Sequence, residues 1–169
     1  MCSGTSGGER RALAIACAAY RESFGRPVGL DVEACHVTVT PDRRMSMLVI
    51  PEPLASAVVH GLISALQPAV VLSTGRGERL TFFTIARPPG TVLPCDLDRA
   101  QVRTLPAGRA VVLPVPGRSA PDCRWVVPPG RTAVLPHWSV VVALARRALQ
   151  AAQANFGRPR VQRPVRLPG

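Results

Sequence analysis

Prolines set the strongest limit on what this chain can fold into. Eighteen prolines and fourteen glycines are spread through its 169 residues. Proline fixes φ at about −65° and has no backbone N–H, so it interrupts helices and is kept out of the interior of sheets. We therefore expect short helices and strands joined by long, stiff connections. The hydrophobic fraction of 47% predicts that these elements enclose a core.

Between these breaks, apolar residues recur with helical or strand periodicity. The predicted helices cover residues 9–24, 51–66 and 137–155. The predicted strands cover residues 35–40, 45–50, 69–72, 80–86 and 108–115. The first two strands are expected to pair as one hairpin and the next two as another, with irregular connections over 88–103 and 117–136. Because helices and strands do not alternate regularly, the predicted class is α+β, with a largely antiparallel mixed sheet and flanking helices.

The composition predicts a single folded domain over residues 9–155. Residues 1–8 are small and polar, and we expect them to be disordered. Residues 156–169 form a basic, Pro-rich tail that cannot bury an apolar face. Its four arginines could neutralise phosphates, and a solvated tail without a specific function is the alternative.

The net charge is +11, and all 21 basic residues are arginines. The planar guanidinium group suits phosphate oxygens, so this excess is consistent with a surface that binds nucleic acid or nucleotides. Codon usage in a GC-rich genome would produce the same excess without any such function. Charge alone does not separate these two explanations.

Five widely spaced cysteines are present, without a C-x-x-C pair, which indicates neither a zinc site nor a disulfide framework. Such cysteines fit a reducing compartment, and we expect a cytoplasmic protein. The apolar run Ala12–Ala19 is too short for a signal sequence or a membrane span, so no membrane association is expected. A Ser-His-Asp arrangement could be drawn from Ser73, His60 and Asp96, but no G-x-S-x-G elbow supports it.

Two carboxylates, Asp31 and Glu33, lie two positions apart before a predicted strand. On a strand they would point to one face and could present oxygens to Mg²⁺. The alternative is a solvated loop that precedes the strand. No other metal site or cofactor is predicted.

The segment Thr74-Gly75-Arg76-Gly77-Glu78-Arg79 joins two predicted strands. Backbone N–H groups in a glycine turn can form a concave anion site, to which the arginines would add charge. The segment is not a P-loop, because the Lys-Ser/Thr pair and the following helix are missing. An ordinary hairpin tip is the alternative.

Trp125 follows Arg124 in the Pro-rich connection. Aromatic and arginine side chains stack on bases in proteins that bind single strands. With aromatics at only 4% of the chain, each large ring is also needed for the core. Both interpretations of Trp125 remain open at this point.

An ordered series of segments resembles the N-terminal domains of bifunctional DNA primase/polymerases, in the archaeo-eukaryotic primase superfamily. Thr74-Gly-Arg-Gly-Glu-Arg-Leu-Thr-Phe-Phe83 resembles the family motif T-x-x-G-G-x-H-hydrophobic-Phe. Gly108-Arg-Ala-Val-Val-Leu-Pro-Val-Pro116 is similar to a Gly-hydrophobic-Pro-Pro segment of the family. Further similarities are the Arg124-Trp125 pair, Pro128-Pro129, and Met47-Leu-Val-Ile-Pro-Glu52 before a helix. The resemblance covers roughly residues 27–150.

This resemblance implies binding of nucleotide or nucleic acid near Thr74, Gly75, Arg76, Gly77, Arg79, Arg109, Arg124 and Trp125. Active members also carry an acidic pair on a strand, a further carboxylate for the metals, and a histidine in the glycine turn. Here Arg79 or Leu80 takes the place of that histidine, and Asp96 and Asp98 match the further carboxylate poorly. Only Asp31 and Glu33 are candidates for the acidic pair.

The sequence therefore predicts a catalytically degenerate primase/polymerase-like domain that binds nucleic acid or nucleotide in an accessory or regulatory role. Two alternatives stay open. One is a protein–protein interaction module that retains only the fold. The other is an active DNA primase/polymerase that uses Mg²⁺ with Asp31 and Glu33.

Overall fold

The computed structural model describes residues 7–31, 33–75, 77–117 and 123–156, with only the backbone for Asn155 and Phe156. Most of the segment predicted to be disordered, and nearly all of the predicted basic tail, lie outside these residues. The two described residues of the first segment, Gly7 and Gly8, begin the first helix.

Four helices are present in the described chain: α1 (Gly7–Phe24), α2 (Leu54–Ser64), α3 (Cys95–Arg99) and α4 (Trp138–Phe156). The strands are β1 (Gly29–Asp31), β2 (His36–Val39), β3 (Met45–Pro51), β4 (Val71–Thr74), β5 (Arg79–Ile85), β6 (Arg103–Thr104), β7 (Val111–Leu113) and β8 (Cys123–Val127). The three predicted helices are confirmed to within three residues at each end. No helix of the described residues is long and apolar enough to span a membrane.

The α+β class is confirmed, and the strands form two antiparallel sheets. One sheet has three strands in the order β1-β2-β7, and the other has five in the order β6-β3-β5-β4-β8. Each pairing between described strands is antiparallel. The largely antiparallel pairing is therefore confirmed, as is the hairpin of β4 and β5, and the strands are divided between two sheets where one was expected.

The hairpin predicted over residues 35–50 is wrong, because β2 and β3 belong to different sheets. Asp42 stabilises the turn between these two strands. Its Oδ1 accepts hydrogen bonds from the backbone N–H groups of Arg44 (2.7 Å) and Met45 (3.0 Å). Its Oδ2 forms an ion pair with Arg26, just beyond α1. These contacts hold the segment where it crosses between the sheets.

Two apolar clusters lie on opposite sides of the five-stranded sheet. Neighbouring residues of β5 separate them: Phe83 belongs to the cluster under α1 and the small sheet, and Phe82 to the cluster under α2 and α4. This follows from the alternation of side chains along a strand. On the second side, α2 and α4 approach closely at Gly61, where an added Cβ would lie 3.0 Å from Leu144 Cδ2.

Three short strands and α3 were missed by the sequence analysis. The most consequential is β8, which lies in the predicted Pro-rich connection and pairs with β4 at the edge of the larger sheet. Five residues between proline-containing segments carry too little periodicity to be distinguished from an extended loop. Pairing with β4, about fifty residues earlier in the chain, makes this segment a strand.

Candidate functional site

The glycine turn connects β4 to β5, and Thr74 faces Arg79 at the last pair of the ladder. Gly75 and Gly77 have φ values of +63° and +88°, in the left-handed region that favours glycine. The N–H of Glu78 donates to the carbonyl oxygen of Gly75 at 3.2 Å. The turn is thus tighter than the predicted tip over residues 73–79. Arg76 lies outside the described residues.

The turn lies beside a cavity of about 480 Å³ between the two sheets, which we call the inter-sheet groove. The larger sheet contributes side chains from β3, β4, β5 and β8, and the smaller sheet contributes β2, β7 and the residues before β7. The lining residues are His36, Val49, Thr74, Thr81, Leu105, Arg109, Ala110, Val111, Val112 and Cys123.

The inter-sheet groove is basic. Arg109 and His36 line it, and none of its described lining residues is a carboxylate. Arg109 is exposed and forms no ion pair within the described part of the chain. By strand alternation, Arg79 lies on the same face of β5 as the lining residue Thr81. The groove therefore offers positive charge, hydroxyl groups and an apolar wall to an anionic ligand.

Cys123 closes one side of the groove. Its thiol donates a hydrogen bond to the carbonyl oxygen of Val112 at 3.2 Å and so connects β8 to β7 across the two sheets. Burial raises the pKa of this thiol to about 11. Because the thiolate is the nucleophilic form, Cys123 is a structural thiol at neutral pH.

Trp125 belongs to the core and not to the groove. Its indole packs 5.7 Å from the ring of Phe83 and 6.0 Å from that of Tyr20, measured between centroids. Its Nε1 donates a hydrogen bond to the Tyr20 hydroxyl at 2.8 Å. Trp125 is thus partly buried against the core and does not line the inter-sheet groove.

Arg124 lies on the other face of the larger sheet. It is exposed, sits opposite Ser73 in the ladder, and lines a separate cavity of about 230 Å³ with Glu52 and Ser56. The predicted binding residues are thus divided. Thr74 and Arg109 meet at the inter-sheet groove, with Arg79 on the same face, whereas Arg124 and Gly77 line the opposite cavity.

Asp31 and Glu33 do not share a strand face. Asp31 ends β1 opposite His36, and its Oδ1 accepts a hydrogen bond from the N–H of Ala34 at 2.8 Å. Glu33 lies exposed in the turn before β2. Of the two interpretations of this pair, the solvated loop before β2 agrees with the structure and the shared strand face does not, because the chain already turns after Asp31.

The acidic residues considered for a third position are engaged elsewhere. Asp96 pairs with Arg146 at 2.9 Å, and Asp98 pairs with Arg103 at 2.6 Å. Within the ranges that the structure describes, no three His, Cys, Asp or Glu side chains are grouped so that they could hold a metal ion. The described carboxylates therefore do not converge on one point.

His36 was not singled out as a binding residue from the sequence. No local signal indicates this role, because the groove exists only where β7 and β8 lie beside β2 and β4. The chain matches no protein-family model, no curated protein and no solved structure. The site is therefore interpreted from its geometry and from the order of its motifs.

Proposed function

We propose that this chain is a diverged primase/polymerase-like domain without catalytic activity, which binds nucleic acid or a nucleotide in the inter-sheet groove and has an accessory role in DNA replication. The observation that carries the proposal is the position of Arg109 in a groove of about 480 Å³ that begins beside the glycine turn.

The groove has the size and the lining that such a ligand needs. Small-molecule sites typically enclose about 300–1,000 Å³ and combine apolar walls with a few polar groups. Val49, Leu105 and Val111 offer an apolar surface to a base, and the hydroxyl groups of Thr74 and Thr81 can bond to its edge or to a sugar. Arg109 can bind phosphate oxygens through its planar fork.

The proposed loss of catalysis rests on the carboxylates. Phosphoryl transfer with two metal ions needs acidic side chains that converge on ions about 4 Å apart. Asp31 caps its own turn and Glu33 is exposed in that turn. Asp96 and Asp98 are engaged with arginines. These positions count against an active polymerase that uses Asp31 and Glu33.

A binding titration with a matched control tests the proposal. We would measure the anisotropy of a fluorescein-labelled single-stranded DNA at low salt, with ATP as a competitor. We compare the unaltered protein, Arg109→Gln, and Arg147→Gln, which removes the same charge from an exposed position of α4. Loss of one charge-assisted contact should weaken binding about fivefold or more, and the control should change it less than twofold. Equal losses in both variants would show that the groove is not the site.

A second candidate function, protein–protein interaction, is favoured by a separate observation. Two large apolar side chains at the end of α2, Ile63 and Leu66, are 58% and 92% exposed. In addition, Arg109 and Arg124 face opposite sides of the larger sheet, so these two arginines do not form one basic surface. The double variant Ile63→Ser, Leu66→Ser should abolish self-association in sedimentation experiments if this surface is a contact. Unchanged sedimentation, with the native protein a monomer, would remove self-association as its role.

A further inference from the structure

A second and larger cavity, of about 620 Å³, lies on the far side of Leu105, which lines both cavities. We call it the proline cavity. It is formed by the turn before β3, the first residues of β3, the segment after β5 and the segment after β6. Its lining includes Pro41, Arg43, Ser46, Arg87, Pro88 and Thr104.

Two guanidinium groups at the proline cavity have no counter-ion among the residues that the structure describes. Arg43 and Arg87 are exposed, and neither forms an ion pair with any residue that the structure describes. Asp42 is the one carboxylate among the described lining residues. It is already paired with Arg26 and accepts two backbone N–H groups. The cavity therefore has an unbalanced positive charge.

A side chain of β3 fixes part of the wall. The Oγ of Ser46 accepts a bond from the N–H of Arg87 at 2.8 Å, which holds the backbone of Arg87 at the wall.

The walls are formed before any ligand arrives. Four prolines line the cavity, and each restricts its backbone to a narrow range of φ. They are Pro41, Pro88, Pro89 and Pro106. Because these walls are already ordered, ligand binding loses little conformational entropy in the protein.

We propose that the proline cavity is a second binding site, which takes a small organic phosphate monoester with an apolar body. A phosphate monoester carries a charge of about −1.5 to −2 at neutral pH, which matches two guanidinium groups better than a carboxylate does. Its oxygens can accept hydrogen bonds from both arginines. Its body then lies against Met45, Leu105 and the prolines. This site goes beyond the proposed function, since none of its ligand contacts depends on Arg109.

NMR titration of the ¹⁵N-labelled full chain tests this proposal. The probes are phenyl phosphate, benzoate and phenol, which share a ring and differ in charge. Phenyl phosphate should shift the amide signals of Ser46, Arg87 and Thr104 in a saturable way, and bind at least fivefold more tightly than benzoate. Shifts confined to Thr74 and Arg109, equal affinity for phenol, or no saturable shifts would overturn the proposal.

Variants separate this site from the inter-sheet groove. Arg43→Gln and Arg87→Gln should each weaken phenyl phosphate about tenfold, and Arg147→Gln should leave it unchanged. Arg109→Gln should have no effect on this titration. A negative result with Arg109→Gln and single-stranded DNA would therefore contradict the inter-sheet groove as a site but not the proline cavity. A negative result with phenyl phosphate would contradict only the proline cavity.

Discussion

The indole Nε1 of Trp125 donates a hydrogen bond of 2.8 Å to the hydroxyl oxygen of Tyr20, 105 residues earlier in the chain. The same hydroxyl donates to the carbonyl oxygen of Pro114 at 2.6 Å. These two bonds connect α1, the edge strand β8 and the end of β7. Because β7 and β8 form opposite walls of the inter-sheet groove, the Tyr20 hydroxyl sets the position of both walls.

Tyr20→Phe should lower the free energy of unfolding by about 1–3 kcal/mol, because it leaves the Trp125 indole N–H and the Pro114 carbonyl without their partner. Urea denaturation followed by tryptophan fluorescence measures this change. The double-mutant cycle with Trp125→Phe should show coupling between the two positions. Independent, additive effects of the two substitutions would contradict the hydrogen bond.

Asp42 should make the free energy of unfolding depend on pH in the acidic range. Burial alone would raise the pKa of this carboxyl, but bonds from Arg26 and from two backbone N–H groups outweigh burial and lower the pKa. A lowered pKa in the folded state means that the stabilisation is present above the ordinary aspartate value of about 3.9 and is lost as the pH falls below it.

Asp42→Asn should therefore reduce the melting temperature at pH 7 and flatten its decrease between about pH 5 and pH 2. The matched control is Asp98→Asn, which breaks an exposed ion pair with Arg103 and should change stability little. Parallel melting curves against pH for the Asp42 variant and the unaltered protein would contradict this role.

Leu66→Gly should stabilise the protein. Leu66 follows the end of α2 with φ at +52°. The N–H of Leu66 donates to the carbonyl oxygen of Ile63, and that of Gln67 to the carbonyl oxygen of Leu62, at 3.0 and 2.9 Å. This is the Schellman arrangement, in which glycine is preferred because a side chain is strained at positive φ. We expect a gain of about 0.5–1 kcal/mol in the free energy of unfolding, and Leu66→Ala should give none.

Cys123 should react slowly with iodoacetamide. With a pKa of about 11, only about one thiol in a thousand is ionised at pH 8. Cys95 is exposed and should be labelled before Cys123 when peptides are mapped by mass spectrometry. Single-stranded DNA in the inter-sheet groove should slow the labelling of Cys123 further and leave Cys95 unaffected. Equal labelling rates at the two cysteines would mean that Cys123 is not enclosed.

Local patterns predicted the parts of the fold that depend on neighbouring residues. The apolar spacing of α1, α2 and α4 specifies which face each helix buries, and prolines and glycines mark where the helices end. The glycines at positions 75 and 77 predicted the turn between β4 and β5, because few other residues adopt positive φ there. The basic character of the chain also followed from the sequence alone.

Tertiary structure decided which strands share a sheet and which side chains meet. Residues 35–50 look like a hairpin by pattern, but the pairing of β2 with β7 and of β3 with β5 was decided by contacts far apart in sequence. A turn separates Asp31 from Glu33, and the Asp31 carboxylate stabilises this turn by accepting the N–H of Ala34. Trp125 packs against the core through its contacts with Tyr20, a distant residue in the sequence. Thr74 and Arg109 line the same groove because the two sheets pack together. Strand pairing and cavity walls depend on long-range burial, which no window of neighbouring residues contains.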